Sequence, residues 1–163
     1  NDVWGFQHDE DLARVVAERS VPAIIMHNRT ELDPSLNIMD EILRFLSRSI
    51  EIALKAGVRK EQLVVDPGFG FGVTHGQSLT MVRDLARLKE LDLPILLGVS
   101  RKRAIGAATG RSEPKDRVMG SVVAHVMGAM NGADIVRVHD VAAHVEAMRM
   151  VAAVRYPASV EMK

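Results

Sequence analysis

Leu63-Val64-Val65-Asp66-Pro67-Gly68-Phe69-Gly70-Phe71-Gly72 is the stretch from which the rest of the chain can be read. Its first four residues form a short apolar strand ending in a carboxylate, and Pro67-Gly68 stops that strand. Both neighbours are helical. Upstream, Ile38 to Ala56 places Ile42, Phe45, Leu46, Ile50 and Ala53 on one side of a long amphipathic helix. Gly57 supplies the left-handed position that ends it. Downstream, Ser78 is expected to cap a helix bearing Met81, Val82, Leu85 and Leu88.

The same alternation runs outward in both directions. Asp9 to Arg19 has helical spacing, and Pro22 to Met26 is a strand. Ile95 to Val99 is the next strand, followed by a short helix opening at Ser100-Arg101-Lys102-Arg103. Pro114 starts a helix predicted to run to about Asn131, with Gly132 just past its end. Ile135 to Val138 is the last strand, and Asp140 caps a final helix carrying Val141, Val145, Met148 and Val151. Short apolar strands separated by helices imply an α/β fold with parallel pairing and both faces covered. Four such strands fit a complete doubly wound sheet. They also fit about half of a TIM (β/α)8 barrel, which needs roughly 200 residues or more.

Composition narrows the function classes. Of 163 residues, 47% are hydrophobic, enough for one domain with a real core. Lys+Arg and Asp+Glu both number 21, so no net field favours nucleic acid or a membrane surface. Cysteine is absent, which excludes disulfides and thiolate metal sites. No apolar run reaches the roughly 18 residues of a membrane span. The opening Asn1-Asp2-Val3-Trp4-Gly5-Phe6 has neither an initiator Met nor a signal-peptide pattern. A cytoplasmic chain whose beginning looks cut is the expectation.

Ligands of such folds bind at the C-terminal ends of the strands, and every strand here ends in groups capable of chemistry. The ends are Met26-His27-Asn28, then Asp66 before the glycine-rich loop, then Gly98-Val99-Ser100 before Arg101-Lys102-Arg103, and finally Arg137-Val138-His139-Asp140. Each has an ordinary structural reading. Asp66 could start a turn, Ser100 and Asp140 could cap helices, and His27 and His139 could be satisfied polar residues. His8, His75, His125 and His144 have no supporting motif and are read as structural. Arg137 is different. Residues two apart on a strand share a face, so Arg137 and His139 point together while Val136 and Val138 pack the other way; if the valines face the helices, Arg137 lies on the inner side. A guanidinium on the inner side calls for an anion or a flat π-surface. With the cations and free N–H groups at the Ser100–Arg103 turn, this suggests a small, flat, anionic ligand. The glycine loop lets backbone approach closely and is expected to display two aromatic rings. Its spacing is wrong for a dinucleotide fingerprint.

Three of these segments, Asp66-Pro67-Gly68-Phe69-Gly70-Phe71-Gly72, Leu97-Gly98-Val99-Ser100-Arg101-Lys102 and Arg137-Val138-His139-Asp140-Val141, resemble the signatures of dihydropteroate synthases in order and spacing. Met26-His27 and Asn1-Asp2 are similar to two further motifs of that family. The resemblance implies a TIM barrel, of which this chain would hold strands five to eight and the tip of the fourth, with the N-terminal half absent. It also implies joining of 6-hydroxymethyl-7,8-dihydropterin diphosphate to 4-aminobenzoate, with release of pyrophosphate. Asn1 and Asp66 would bond the pterin ring, Met26 would pack near it, and Arg137 would stack on its face. Lys102 would bond the oxo edge beside the aminobenzoate. His139, with Arg137, would hold the pyrophosphate. Phe71 would cover the aminobenzoate, whose carboxylate would meet the helix start near Arg103, and Gly70 and Gly98 would belong to the substrate-binding set. Mg2+ would be bound through an Asn upstream of Asn1, with no metal ligand in this chain. A homodimer would form through C-terminal helices, Val118 to Met130 having the apolar character for it. Val73 stands where members often carry Lys, and Arg103 where some carry Ser. The alternatives are a pterin-binding methyltransferase module, disfavoured because a methyl donor brings no pyrophosphate to hold, and an inactive half-barrel with two open sheet edges.

Overall fold

The computed structural model describes residues 1–9 and 11–159. Helix and strand alternate along them: α1 (Asp11–Arg19), β1 (Ala23–Met26), α2 (Ile38–Lys55), β2 (Leu63–Asp66), α3 (His75–Arg83), β3 (Leu96–Leu97), α4 (Arg103–Thr109), α5 (Val118–Met130), β4 (Ile135–Val136) and α6 (Val141–Arg155). β1 pairs parallel with β2, from Ala23 opposite Leu63 to Met26 opposite Asp66. β3 pairs parallel with β4 through Leu96–Ile135 and Leu97–Val136. Single parallel bridges complete the series, Val65 to Ile95 between the pairs and Asp2 to Ile25 on the far side of β1. The strand order therefore follows the chain, with the Asn1-Asp2 segment first and β4 last.

The pleat sorts side chains between two faces. Ala23, Ile25, Leu63, Val65, Leu97 and Val99 join the core beneath the helices, packed with Met39, Ile42, Leu46, Met81, Leu85 and Leu88. Met26, Asp66 and Leu96 are buried on the opposite face, outside that apolar cluster. The period of two thus aims Met26, Asp66, Gly98 and Arg137 to the same inner side, one from each strand.

Several elements differ from their sequence-based expectation. β3 and β4 are two residues long each because their C-terminal amides leave the ladder for side chains. The Val99 N–H donates to His125 Nε2 at 3.2 Å, and the His139 N–H donates to Ser100 Oγ at 3.1 Å. Ser78 does not cap α3. Thr74 does, in a reciprocal pair in which the Gln77 N–H reaches Thr74 Oγ1 at 3.1 Å and the Thr74 N–H reaches Gln77 Oε1 at 2.9 Å. Ser78 lies inside the helix and donates to the Thr74 carbonyl. Leu85 and Leu88 sit on the 3-10 segment Leu85–Leu91 rather than on α3. The helix expected from Pro114 begins as a 3-10 turn, Pro114–Arg117, before α5. Ser100 caps nothing, since Lys102 holds the N-cap position of α4. Asp140 occupies the N-cap position of α6 without a side-chain capping bond, because its carboxylate is taken by Arg101.

Candidate active site

The strand ends converge. Asp66 closes β2 with 2% of its surface exposed. Its Oδ1 accepts the Gly68 N–H at 2.9 Å, and its Oδ2 accepts Arg137 Nη2 at 2.9 Å. Gly68 sits at φ +75, and a Cβ there would collide with the His27 carbonyl oxygen. Only glycine can make this turn and still offer its amide to the carboxylate. The other arm of the guanidinium, Nη1, donates to Asn1 Oδ1 at 2.9 Å. Beneath the guanidinium lies Gly98, where a Cβ would stand 3.2 Å from Nη2 and 3.4 Å from Nε. Gly98 therefore makes room for Arg137 to lie flat across the inner face. Asn1, Asp66, Gly98 and Arg137 form one connected surface of a carboxylate, an amide and a planar cation. Burial pushes the Asp66 carboxyl up, while the Gly68 amide, Arg137 and Lys102 pull it down less strongly.

Lys102 reaches into the same space from the β3 end. Its Nζ donates to the Phe69 carbonyl at 2.5 Å and stands 4.5 Å from the Phe71 ring centroid, while Gly70 faces its stem. Burial lowers its pKa to about 8, against the pull of Asp66. The glycine loop displays one aromatic ring rather than two, because Phe69 is fully buried in the core and Phe71 alone faces the opening. A cleft of about 530 Å³ runs past Gly70, Phe71, Gly72, Arg101, Lys102 and Arg103. Arg103 is exposed at its rim. Val73, at the site of the departure noted above, is buried in the core.

His139 is oriented by Ser100, whose Oγ accepts the His139 N–H and lies 3.0 Å from Nδ1. A hydroxyl that accepts from the amide is free to give its proton to Nδ1, which leaves Nε2–H as the outward donor. Arg101, a non-glycine residue at φ 58, forms a two-pronged pair with Asp140, Nε to Oδ2 being 2.9 Å. Met26 is buried beside Asp66 across the β1–β2 register. His27 corrects its sequence reading. It is fully buried, neither ring nitrogen has a hydrogen-bond partner among the described residues, and Phe45 packs edge-on at 5.1 Å. Among the described residues no group of three or more His, Asp or Glu side chains could hold a metal ion.

Burial also lowers His27 and His125 to about 4. A histidine held neutral in the fold but free to ionise when unfolded makes the unfolded state bind more protons below pH ~6.5. Stability is then full above that pH and is lost as pH falls toward about 4, by on the order of 3 kcal/mol per histidine. The raised Asp66 carboxyl has the opposite sign. Denaturation midpoints between pH 7.5 and 4.5 should show the net fall, and His27→Leu should remove about one proton from its slope.

Parallel strands thus deliver a carboxylate, a planar cation and an amide oxygen to one rim of an α/β fold. The chain belongs to the pterin binding enzyme family, whose profile matches residues 1–139. A dihydropteroate synthase of Clostridium beijerinckii is 46% identical over 151 residues, covering 92% of this chain and 55% of that protein. Two structures of the dihydropteroate synthase of Xanthomonas albilineans, one with 4-aminobenzoic acid and one with 7,8-dihydropteroate, superpose with TM-scores of 0.92 and 0.90. Both are 42% identical, cover 96% of this chain, and are covered over 57% and 60% of their own length. The chain spans about half the length of the curated relatives it matches. No helix among the described residues is long and apolar enough to cross a membrane.

Proposed function

We propose that these residues form strands five to eight of a dihydropteroate synthase barrel and supply most of its pterin and diphosphate contacts. The observation that carries this reading is the Asn1–Arg137–Asp66 chain of hydrogen bonds laid over Gly98. A dihydropterin offers N–H donors at one edge to a carboxylate and an amide oxygen, and its ring offers a face to a guanidinium. Those are the groups this surface presents. Resemblance to enzymes solved with aminobenzoate and with dihydropteroate supports the same substrates.

The chemistry suits the residue types. The aminobenzoate nitrogen forms a bond to the exocyclic methylene of the pterin as the methylene–oxygen bond to diphosphate breaks, and the amine loses a proton. Positive charge grows on the pterin as the leaving group departs, and the buried Asp66 carboxylate stabilises it. Negative charge grows on the diphosphate, which Arg137 and the Nε2–H of His139 meet from one strand face. Lys102, cationic below about pH 8, stands between the two substrates with Phe71 over the aminobenzoate, and Arg103 at the rim faces the carboxylate. No covalent nucleophile is required.

Pyrophosphate release that needs both substrates, measured on the full-length protein, tests the reading; methyl transfer to a corrinoid instead would favour the methyltransferase alternative. His139→Ala should weaken binding of the pterin diphosphate far more than binding of the pterin alcohol, which lacks the phosphates. Equal calorimetric losses for both ligands would remove His139 from the diphosphate site. α5 leaves Met119, Val123 and Met127 exposed at helical spacing, and that apolar stripe supports a homodimer. Sedimentation of the full-length protein as a dimer is the expected result.

A further inference from the structure

Behind the strand ends, two histidines that the chemistry does not use form a directed chain. His125 of α5 and His144 of α6 are 0% and 2% exposed, and His125 Nδ1 lies 2.9 Å from His144 Nε2. The direction of the chain follows from its first donor. The Val99 N–H can only donate, so His125 Nε2 accepts it and carries no proton. The neutral ring then holds its proton on Nδ1 and donates to His144 Nε2. That ring in turn holds its proton on Nδ1 and donates to the Asp140 carbonyl at 2.8 Å. One continuous path thus links the end of β3, three residues before Lys102, to the residue that follows His139.

We infer that His125 and His144 are positioning residues, a relay that holds the His139–Asp140 segment at a set spacing from the Ser100–Lys102 turn. The proposal rests on the synthase reading, because it fixes His139 against Lys102 across the two substrates. Two shorter ties run parallel to it, Ser100 to His139 and Arg101 to Asp140. Those ties lie on the cleft side, where a bound diphosphate competes for the same cations and donors. The histidine relay is sealed from the cleft and does not exchange with ligand. It also requires both rings to be neutral, since a protonated His125 would aim a second N–H at the Val99 amide. Burial lowers His125 to about 4, with His144 and Lys102 also opposing its charge and the Leu97 and Ser121 carbonyls favouring it less strongly.

Nitrogen-15 spectra of the full-length protein at pH 7.5 test the relay directly. Both rings should show the Nδ1-protonated tautomer, and Nε2 protonation of His125 would overturn the relay. His144→Phe keeps a ring but removes the acceptor. It should lower kcat/KM for the pterin diphosphate by about tenfold or more, the cost of a small misplacement at a reacting centre, while binding of the pterin alcohol holds. His144→Gln restores an acceptor and should recover most of the loss. Equal losses for alcohol and diphosphate, or wild-type kcat/KM in His144→Phe, would overturn the positioning role. A wild-type protein that makes no dihydropteroate would refute the synthase reading alone, and the tautomers would still judge the relay.

Discussion

Lys102→Ala in the full-length protein should lower turnover by on the order of 10²-fold or more, the cost of removing a preorganised cation from a reacting centre. Three observations set that expectation. The Nζ is anchored on the Phe69 carbonyl, it stands over the Phe71 ring, and Asp66 is the nearby anion that favours its charge. The alanine variant should keep its fold, because the Lys102 stem crosses Gly70 at the surface of the loop rather than filling the core. Near-normal turnover with an unchanged circular dichroism spectrum would refute the role. The pH profile offers a second reading. If the charged lysine acts as proposed, its contribution should be present below about pH 8 and lost as pH rises through that value. Lys102→Arg should retain charge to higher pH and move that limb upward.

The second large effect is expected at the Asp66–Arg137 pair. Asp66 is almost wholly buried whereas the Arg137 side chain is 44% exposed, so the carboxylate carries most of the desolvation and the guanidinium remains partly hydrated. Asp66→Asn preserves size but removes the charge proposed to receive the pterin donors and to stabilise the developing cation. Pterin affinity and turnover should each fall by on the order of 10²-fold or more. Arg137→Ala leaves the Asp66 carboxyl buried without its partner, so its pKa should rise further and the pterin site should weaken for a second reason. The two changes act on one unit, and their effects should be far from additive in a double-mutant cycle. Additive losses would mean that Asp66 and Arg137 serve separate ligand groups. Calorimetry with the pterin alcohol isolates this site from the diphosphate contacts proposed for His139.

Much of the site was legible because strand periodicity is strict. Once β4 was placed around Ile135, the spacing of Arg137 and His139 assigned them a common face, and the valines between and before them the opposite one. The apolar run into Asp66 and the glycines after it announced a strand end with backbone exposed to a ligand. The resemblance then linked Asn1, Met26 and Lys102, which periodicity alone does not connect. Where the structure differs from the local pattern, the cause is a specific competing contact. Ser78 was a plausible cap by residue type, but Thr74 with Gln77 three residues on is a complete capping box, and that signal was present in the chain. Asp140 and Ser100 have side chains that suit caps, yet each is diverted by a partner distant in sequence, Asp140 by Arg101 and Ser100 by His139. Phe69 and Phe71 are two apart and look alike in sequence, but the turn at Gly70 sends the first into the core.

What the sequence determined by itself is therefore the order of elements, the face each strand residue occupies, and the set of polar groups delivered to one rim. Those follow from periods of 2 and 3.6 residues and from where glycine and proline interrupt them. What only the tertiary structure decided is which of those groups touch. Asn1 meets Arg137 across 136 positions of chain and Arg137 meets Asp66 across 71, distances over which no local pattern carries information. The same holds for His125 and His144, on separate helices and without a motif, whose roles depend on where α5 and α6 bring their buried faces together. A hydrogen bond needs its partners within about 3 Å and aligned, and that precision is set by packing of the whole core rather than by any segment of it.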